Sequence, residues 1–403
     1  MPKFNTIDDL EVRGKRVLVR ADLNTPMKDG AVIDTTRIER SLPTILELAD
    51  ARAQVIVMSH FGRPKGEVVP EMSLKPVAEA LGHAAGHGIA FAPDCIGEEA
   101  ERVAAAVSDG DIVVLENLRF HAEEEANDHD FAGKLAELGH LYVNDAFSCA
   151  HRAHASTTAI AALLPTAAGR LMQAELRALE GALETPEHPV GAVVGGAKVS
   201  TKMGVLGNLV KRVDQLIIGG GMANTFLYAQ GIDVGKSLCE IKMADQALTI
   251  LATATEAGCE VVLPIDAVVA AEFREGADTS TVPIDAVPAE AMILDIGPAS
   301  ADDLVSRLDY LKSLVWNGPL GAFEVTPFDK GTNVVASEVV RLTAAGALVS
   351  VAGGGDTIAA LANAKAGDGF TYVSSAGGAF LEWLEGKVLP GVAALQTAST
   401  DTS

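Results

Sequence analysis

Two sets of side chains in this sequence are suited to handling phosphorylated anions, and they occupy different halves of it. Before about residue 155, short loops carry Asp22, Asn24, Arg37, His60, Arg63, Arg119, Arg152 and His154. Arginines gathered in this way hold a small polyanion through charge-assisted hydrogen bonds. After about residue 190 the loops carry glycine clusters with Lys198, Lys202, Glu324 and Asp356. Glycine-rich backbone and helix N-termini present N–H groups to phosphates, and a carboxylate beside them is a natural Mg²⁺ contact. One half reads as the site of an acidic substrate and the other as the site of a nucleotide.

The motifs sharpen this division. GGAKVSTK starts at Gly195 directly after an apolar run, and adjacent glycines let backbone approach a phosphate closely. Lys198 and Lys202 are four residues apart, a spacing that predicts one shared face on the first turns of a helix. GGGMANTF from Gly219 and AGGGDT from Ala352 each place three glycines after an apolar run. Asp356 reads either as a helix cap or as the metal contact. NGPLGAFE from Asn317 ends in Glu324, either an acceptor for ribose hydroxyls or an ordinary solvated acid. In the first half, HFGRP holds His60 and Arg63, NLRFH holds Arg119, and NDAF with HRAH holds Asp145, Arg152 and His154. The acidic run at 123–125 reads as a solvated loop. His83 with His87, and His151 with His154, lack a third ligand and are not read as metal sites. No nucleophile–base pair stands out. Phosphoryl transfer to or from a carboxylate needs none, because the acceptor is already ionised at neutral pH.

The elements that must position these loops follow a rhythm. RVLVR, VIVMS, IVVLE, LYV, VGAVV, QLII, SLVW, ALVSV and TYV read as buried strands, each running into one of the loops above. Amphipathic helices are expected over 36–50, 98–107 and 129–138. Strands alternating with helices predict parallel sheets covered on both faces, with ligands outside the carboxyl ends of the strands. The stretch from Arg170 to Glu184 has helical spacing, follows no apolar run closely, and is stopped by TPEHP. It reads as a connector helix between two domains.

At 403 residues the chain suits two domains of about 200 each. A net charge of −23 argues against nucleic acid or an anionic membrane as partner. The four cysteines, with no CxxC, read as buried reduced thiols. MPKFNTIDDL has no apolar leader, and no long apolar run occurs, so the expected location is cytoplasmic. TASTDTS reads as a frayed tail.

Taken in order, VRADLN, SHFGRP, ENLRFH, NDAFSCAHRAH, GGAKVSTK, GGGMANTF, WNGPLGAFE and GGGDT resemble the phosphoglycerate kinase family over nearly the whole chain. The resemblance implies reversible transfer of the acyl phosphate of 1,3-bisphosphoglycerate to Mg-ADP, giving 3-phosphoglycerate and ATP in glycolysis. It also implies a monomer of two doubly wound α/β domains that close on a hinge helix. The expected boundaries are 1–168 for the phosphoglycerate domain, 169–186 for the helix and 187–385 for the nucleotide domain. A segment 386–403 is expected to pack back on the first domain. By resemblance, Asp22, Leu23, Asn24, Arg37, His60, Phe61, Gly62, Arg63, Arg119 and Arg152 form the substrate site. Arg37 and Lys198 would stabilise the moving phosphoryl group, Lys202 would hold the nucleotide phosphates, and Gly377 and Gly378 would open a helix toward them. Gly196, Gly220, Asn317, Glu324, Gly353, Gly354, Gly355, Asp356 and Thr357 complete the implied nucleotide site, with Mg²⁺ at Asp356. Two departures stand out: Ser148 replaces a usual Gly, and Ala376 replaces a Gly and disfavours positive φ. Other readings of the same loops are another acyl-phosphate-forming carboxylate kinase and a non-catalytic two-domain anion-binding protein.

Overall fold

Each of two units is built on a six-stranded parallel sheet, and the computed structural model describes residues 4–397. Contacts between Cα atoms divide the chain into a first unit through Leu176, rejoined from Val388, and a second unit over Arg177–Lys387. Residues 398–403, with most of the TASTDTS tail, lie outside the described residues.

In the first unit the strands are β1 (Arg16–Arg20), β2 (Met27–Lys28), β3 (Ala31–Val32), β4 (Gln54–Met58), β5 (Ile89–Ala92), β6 (Ile112–Leu115), β7 (Leu141–Asn144) and β8 (Thr166–Ala168). The main sheet runs β5-β6-β4-β1-β7-β8, while β2 and β3 form a small hairpin. Its strands are continuous apolar runs because both faces are covered. Val17, Val19, Val55 and Val57 pack with Ile38, Ile45 and Leu48 of helix Thr36–Asp50. Their alternating neighbours Leu18, Ile56 and Met58 pack on the other face with Phe131 and Leu135 of helix His129–Ala136. The short helix Pro390–Thr397 returns to this unit, where Gly391 N–H donates to the Ala150 carbonyl at 2.9 Å.

The second unit contains β9 (Val190–Val194), β10 (Gln215–Ile218), β11 (Glu260–Val262), β12 (Asp266–Ala270), β13 (Thr279–Pro283), β14 (Met292–Ile296), β15 (Ser313–Asn317), β16 (Val349–Gly353) and β17 (Tyr372–Ser374). Its parallel sheet runs β11-β10-β9-β15-β16-β17, and β13-β12-β14 form a separate antiparallel sheet. Trp316, wholly buried, anchors the core with Leu314, Val335, Val339 and Phe370.

The α/β architecture with parallel sheets matches the sequence expectation, and all nine expected strands form. β2, β3, β5, β8, β11 and the β13-β12-β14 sheet escape the sequence reading. The helix expected from Arg170 to Glu184 is α-helical over Arg170–Leu179 and ends in a π-helical turn, Glu180–Glu184. Among the described residues no helix is long and apolar enough to cross a membrane.

Candidate active site

In both units the sheet order reverses direction beside its first strand, and the loops on either side diverge there. Such a switch point is where an open α/β sheet receives its ligand. In the first unit the loops after β1 and β7 meet at this point. Ser148 Oγ donates to Asp22 Oδ2 across them, and Arg37 Nη1 donates to the same oxygen. Burial opposes the Asp22 charge, yet His60 first, then Arg37, the Ser148 hydroxyl and Arg20, outweigh it and hold the carboxyl at about 2. The loop after β1 is pinned to the loop after β4. Leu23 N–H donates to Ser59 Oγ at 2.9 Å, and Gly62 N–H donates to Asn24 Oδ1 at 2.9 Å. Asn117, at the end of β6, clamps that loop from the other side. Its Oδ1 accepts from Phe61 N–H at 3.1 Å and its Nδ2 donates to the Phe61 carbonyl at 2.7 Å.

The basic side chains here differ in freedom. Arg63 and Arg152 are exposed and Arg37 is half-buried. Arg119 is buried, with Nη1 on the Gly62 carbonyl at 2.9 Å and Nε 3.2 Å from Glu125. His60 is buried, and burial pushes its pKa well below the ordinary histidine value. His154 is also buried, and burial first, then Arg20 and Arg119, bring it down to about 4. It is therefore neutral at pH 7 and adds no charge to the basic loops. The acidic run at 123–125 corrects the expectation of a solvated loop. Glu124 is wholly buried in helix Ala122–Glu125, where its two oxygens accept from the backbone N–H and the hydroxyl of Ser156. Residues Ser59, Asn117 and Arg20 were not read as part of the site. The signal for Arg20 was a charge inside an otherwise apolar strand.

In the second unit the loops after β9 and β15 touch at backbone level. A Cβ on Gly195 would lie 1.9 Å from the Pro319 carbonyl oxygen, so only glycine fits there. Gly318, with φ +113°, packs back against Gly195. Lys202 Nζ donates to the carbonyls of Gly195 and Asn317 at 2.7 and 2.9 Å. Burial lowers its pKa to about 8, against the opposing pull of Asp356. The two lysines do not share a helical face. Lys198 is extended and exposed, a 3-10 turn covers Val199–Thr201, and the α-helix starts only at Met203. The GGAK backbone must first turn around the Gly318 contact, which delays the helix.

The glycine clusters open helices. Gly219 and Gly354 are the N-caps of helices Gly220–Ala229 and Gly355–Asn363. Gly377 starts helix Gly377–Leu384, and a Cβ on it would come 3.9 Å from Gly355 N, so two helix N-termini lie side by side. Gly378 is exposed at the same end. Asp356 is exposed in the first turn rather than at the cap itself. Thr357 and Asn317 turn their side chains to the scaffold. The Thr357 hydroxyl accepts from Gly318 N–H and donates to the Gly353 carbonyl, and Asn317 Nδ2 donates to that same carbonyl. Ala376 has φ −101°, which any residue adopts, so its methyl carries no strain. A cavity of about 340 Å³ lies alongside, lined by Gly196, Gly220, Leu238, Phe273 and Met292, with Glu324 and Asp356 among its polar residues. The antiparallel sheet supplies one of its walls through β14.

Arginines on the loops around one switch point, and a glycine-and-lysine cradle beside an apolar cavity at another, suit a phosphotransferase. Comparisons with known proteins give the same class. The family model for phosphoglycerate kinase matches residues 7–387. The phosphoglycerate kinase of Ruegeria sp. is 60% identical over 98% of this chain and 100% of its own length. That of Granulibacter bethesdensis is 62% identical, covering 98% of this chain and 99% of its own. The structure of phosphoglycerate kinase from Coxiella burnetii superposes with a TM-score of 0.92 at 42% identity, over 98% of this chain and 99% of that one. The enzyme from Pyrococcus horikoshii gives 0.78 at 30% identity with the same coverage. The chain belongs to the phosphoglycerate kinase family.

Proposed function

We propose that the phosphoryl group passes in line between the carboxylate of 3-phosphoglycerate and ADP or ATP, with no covalent enzyme intermediate. The carboxylate is ionised at neutral pH and needs no general base, so positioning and charge neutralisation suffice. In the first unit Arg63, Arg119 and Arg152 bind the acidic substrate with His60, Asn24 and the backbone of Leu23, Phe61 and Gly62. Asp22 orients Arg37, whose guanidinium is assigned to charge on the moving group, and Lys198 of the second unit is assigned the same task. In the second unit the apolar cavity takes the base and Glu324 the ribose. Lys202 and the N–H groups at Gly355, Gly377 and Gly378 take the phosphates.

The observation that carries this reading is the pair of adjacent helix N-termini beside Lys202, three positive elements focused on one spot. Asp356 fits a magnesium ion. It is an exposed hard-oxygen donor next to the phosphate cradle, and Mg²⁺ typically binds one or two carboxylates while keeping water and phosphate oxygens. When bound, the ion would neutralise charge on the phosphate oxygens. We further propose that the enzyme acts in the cytoplasm as a monomer on these two small substrates.

The test is ATP consumption with 3-phosphoglycerate, coupled to NADH oxidation through glyceraldehyde-3-phosphate dehydrogenase, with acetate and aspartate as rival acceptors. Turnover confined to 3-phosphoglycerate and dependent on Mg²⁺ supports the proposal. Equal turnover with acetate would reassign the acceptor.

A further inference from the structure

Arg20, the last residue of β1, is wholly buried. A buried guanidinium must find hydrogen-bond partners and a counter-charge. Its Nε donates to Ser156 Oγ at 2.8 Å and its Nη1 to the Ala21 carbonyl at 2.6 Å. Ser156 donates in turn to Glu124, so the compensating carboxylate lies one hydroxyl away. The remaining arm, Nη2, lies 3.2 Å from Nδ1 of His60.

A guanidinium can only donate, so Nδ1 of His60 must accept. An imidazole that accepts at Nδ1 is neutral and carries its proton on Nε2. We infer that Arg20 is a positioning residue that locks His60 as the neutral Nε2–H tautomer, presenting an uncharged donor to the acidic substrate. This rests on the proposed placement of His60 in the substrate site.

The groups facing His60 agree on balance. Burial disfavours its protonation most, followed by Arg20; Arg119 and Arg37 act in the same direction, and Asp22 opposes them. The Cys149 thiol lies 4.0 Å from the same Nδ1 and bears no charge at neutral pH, since burial pushes its pKa up. The positive charge that attracts substrate then comes from arginines alone. A charged His60 would have made substrate affinity vary with pH in the physiological range, and the lock removes that dependence.

The experiment is long-range ¹H–¹⁵N NMR of the histidine rings in the labelled full chain, with the His60 signals assigned through His60→Gln. Between about pH 6 and 8, the His60 spectrum should show Nε2 protonated and Nδ1 bare throughout. An Nδ1–H tautomer, or titration near the ordinary value of 6.5, overturns the lock. Addition of 3-phosphoglycerate should then shift Nε2. An intact tautomer with no such shift would overturn only the placement of His60 in the substrate site.

Kinetics supply a second readout. In Arg20→Met the ratio of variant to wild-type KM for 3-phosphoglycerate should change severalfold between pH 8 and 6, whereas Arg20→Lys should restore part of the flat profile. A pH-independent ratio in a folded Arg20→Met argues against the lock. Should that variant fail to fold, the wild-type spectrum decides alone.

Discussion

Arg37 and Ser148 share a single acceptor, the Oδ2 atom of Asp22. Arg37 comes from the helix after β3, and Ser148 lies 126 residues from Asp22 in the chain. Their meeting ties the proposed phosphoryl-stabilising arginine to the loop that carries Arg152. Asp22→Asn should loosen Arg37 without removing it. The expected result is a fall in kcat/KM of roughly tenfold or more, from loss of one charge-assisted hydrogen bond. Steady-state kinetics with 3-phosphoglycerate would check it, and unchanged kcat/KM would mean that Asp22 does not orient Arg37.

The same carboxylate makes an acid-stability prediction. Its folded pKa, about 2, lies below the ordinary 3.8, so its stabilisation is fully present above about pH 4 and is lost as the pH falls toward 2. Denaturant unfolding of wild type and Asp22→Asn should show a stability gap at pH 6 that narrows across that window.

Removing a partner of the transferring group should strike turnover rather than binding. Arg37→Ala and Lys198→Ala are each expected to lower kcat by roughly 10²–10³. Arg63→Ala is expected mainly to raise KM for 3-phosphoglycerate. A Lys198→Ala enzyme with near-normal kcat would remove that lysine from the proposed mechanism.

Lys202 sits on two backbone carbonyls with its pKa lowered to about 8 by burial. Bound phosphate favours the ammonium form, so nucleotide binding above pH 8 must draw a proton from solvent. Affinity for ADP should weaken by up to about tenfold per pH unit above 8. Calorimetry in buffers of different ionisation enthalpy measures the uptake, and its absence at pH 9 would contradict the Lys202 assignment.

Gly195 and Ala376 predict very different responses to substitution. Gly195→Ala drives a methyl into the Pro319 carbonyl, and the two loops must part. Loss of nucleotide affinity and a destabilisation of about 2 kcal/mol or more are expected, the scale of an overpacked site. Ala376→Gly relieves nothing, because φ is already −101°. Ala376 is the N-cap of its helix, where glycine is preferred over alanine and offsets the chain-entropy cost, so stability should hold within about 0.5 kcal/mol and kcat within about twofold. Thermal melts and nucleotide KM values on both variants would separate them.

Much of the fold was legible because parallel strands buried on both faces are unbroken apolar runs, as VLV in β1 and IVVL in β6 show. β5, with the sequence IAFA, is an edge strand whose first three residues keep some exposure, so its pattern is weak. β13 is nearly all exposed and polar, TSTVP, and forms only because β12 pairs with it. β14, with the apolar sequence MILDI, becomes a wall of the cavity only through its pairing with β12, more than twenty residues away in the chain.

The chemistries present are legible along the chain: glycines where loops must touch, and arginines and lysines at the ends of parallel strands. Those signals are local, since a strand's apolar run and the loop that follows it are read in one stretch. Which polar groups are buried, and with what partner, follows from folding alone. Glu124 is a core acid rather than a solvated one, His154 is neutral, and Lys202 stands outside the helix that its spacing suggested. Arg20 reaches His60 and Ser156, 40 and 136 residues away. Burial and charge state depend on segments that meet only after folding, and no spacing along the chain encodes that distance.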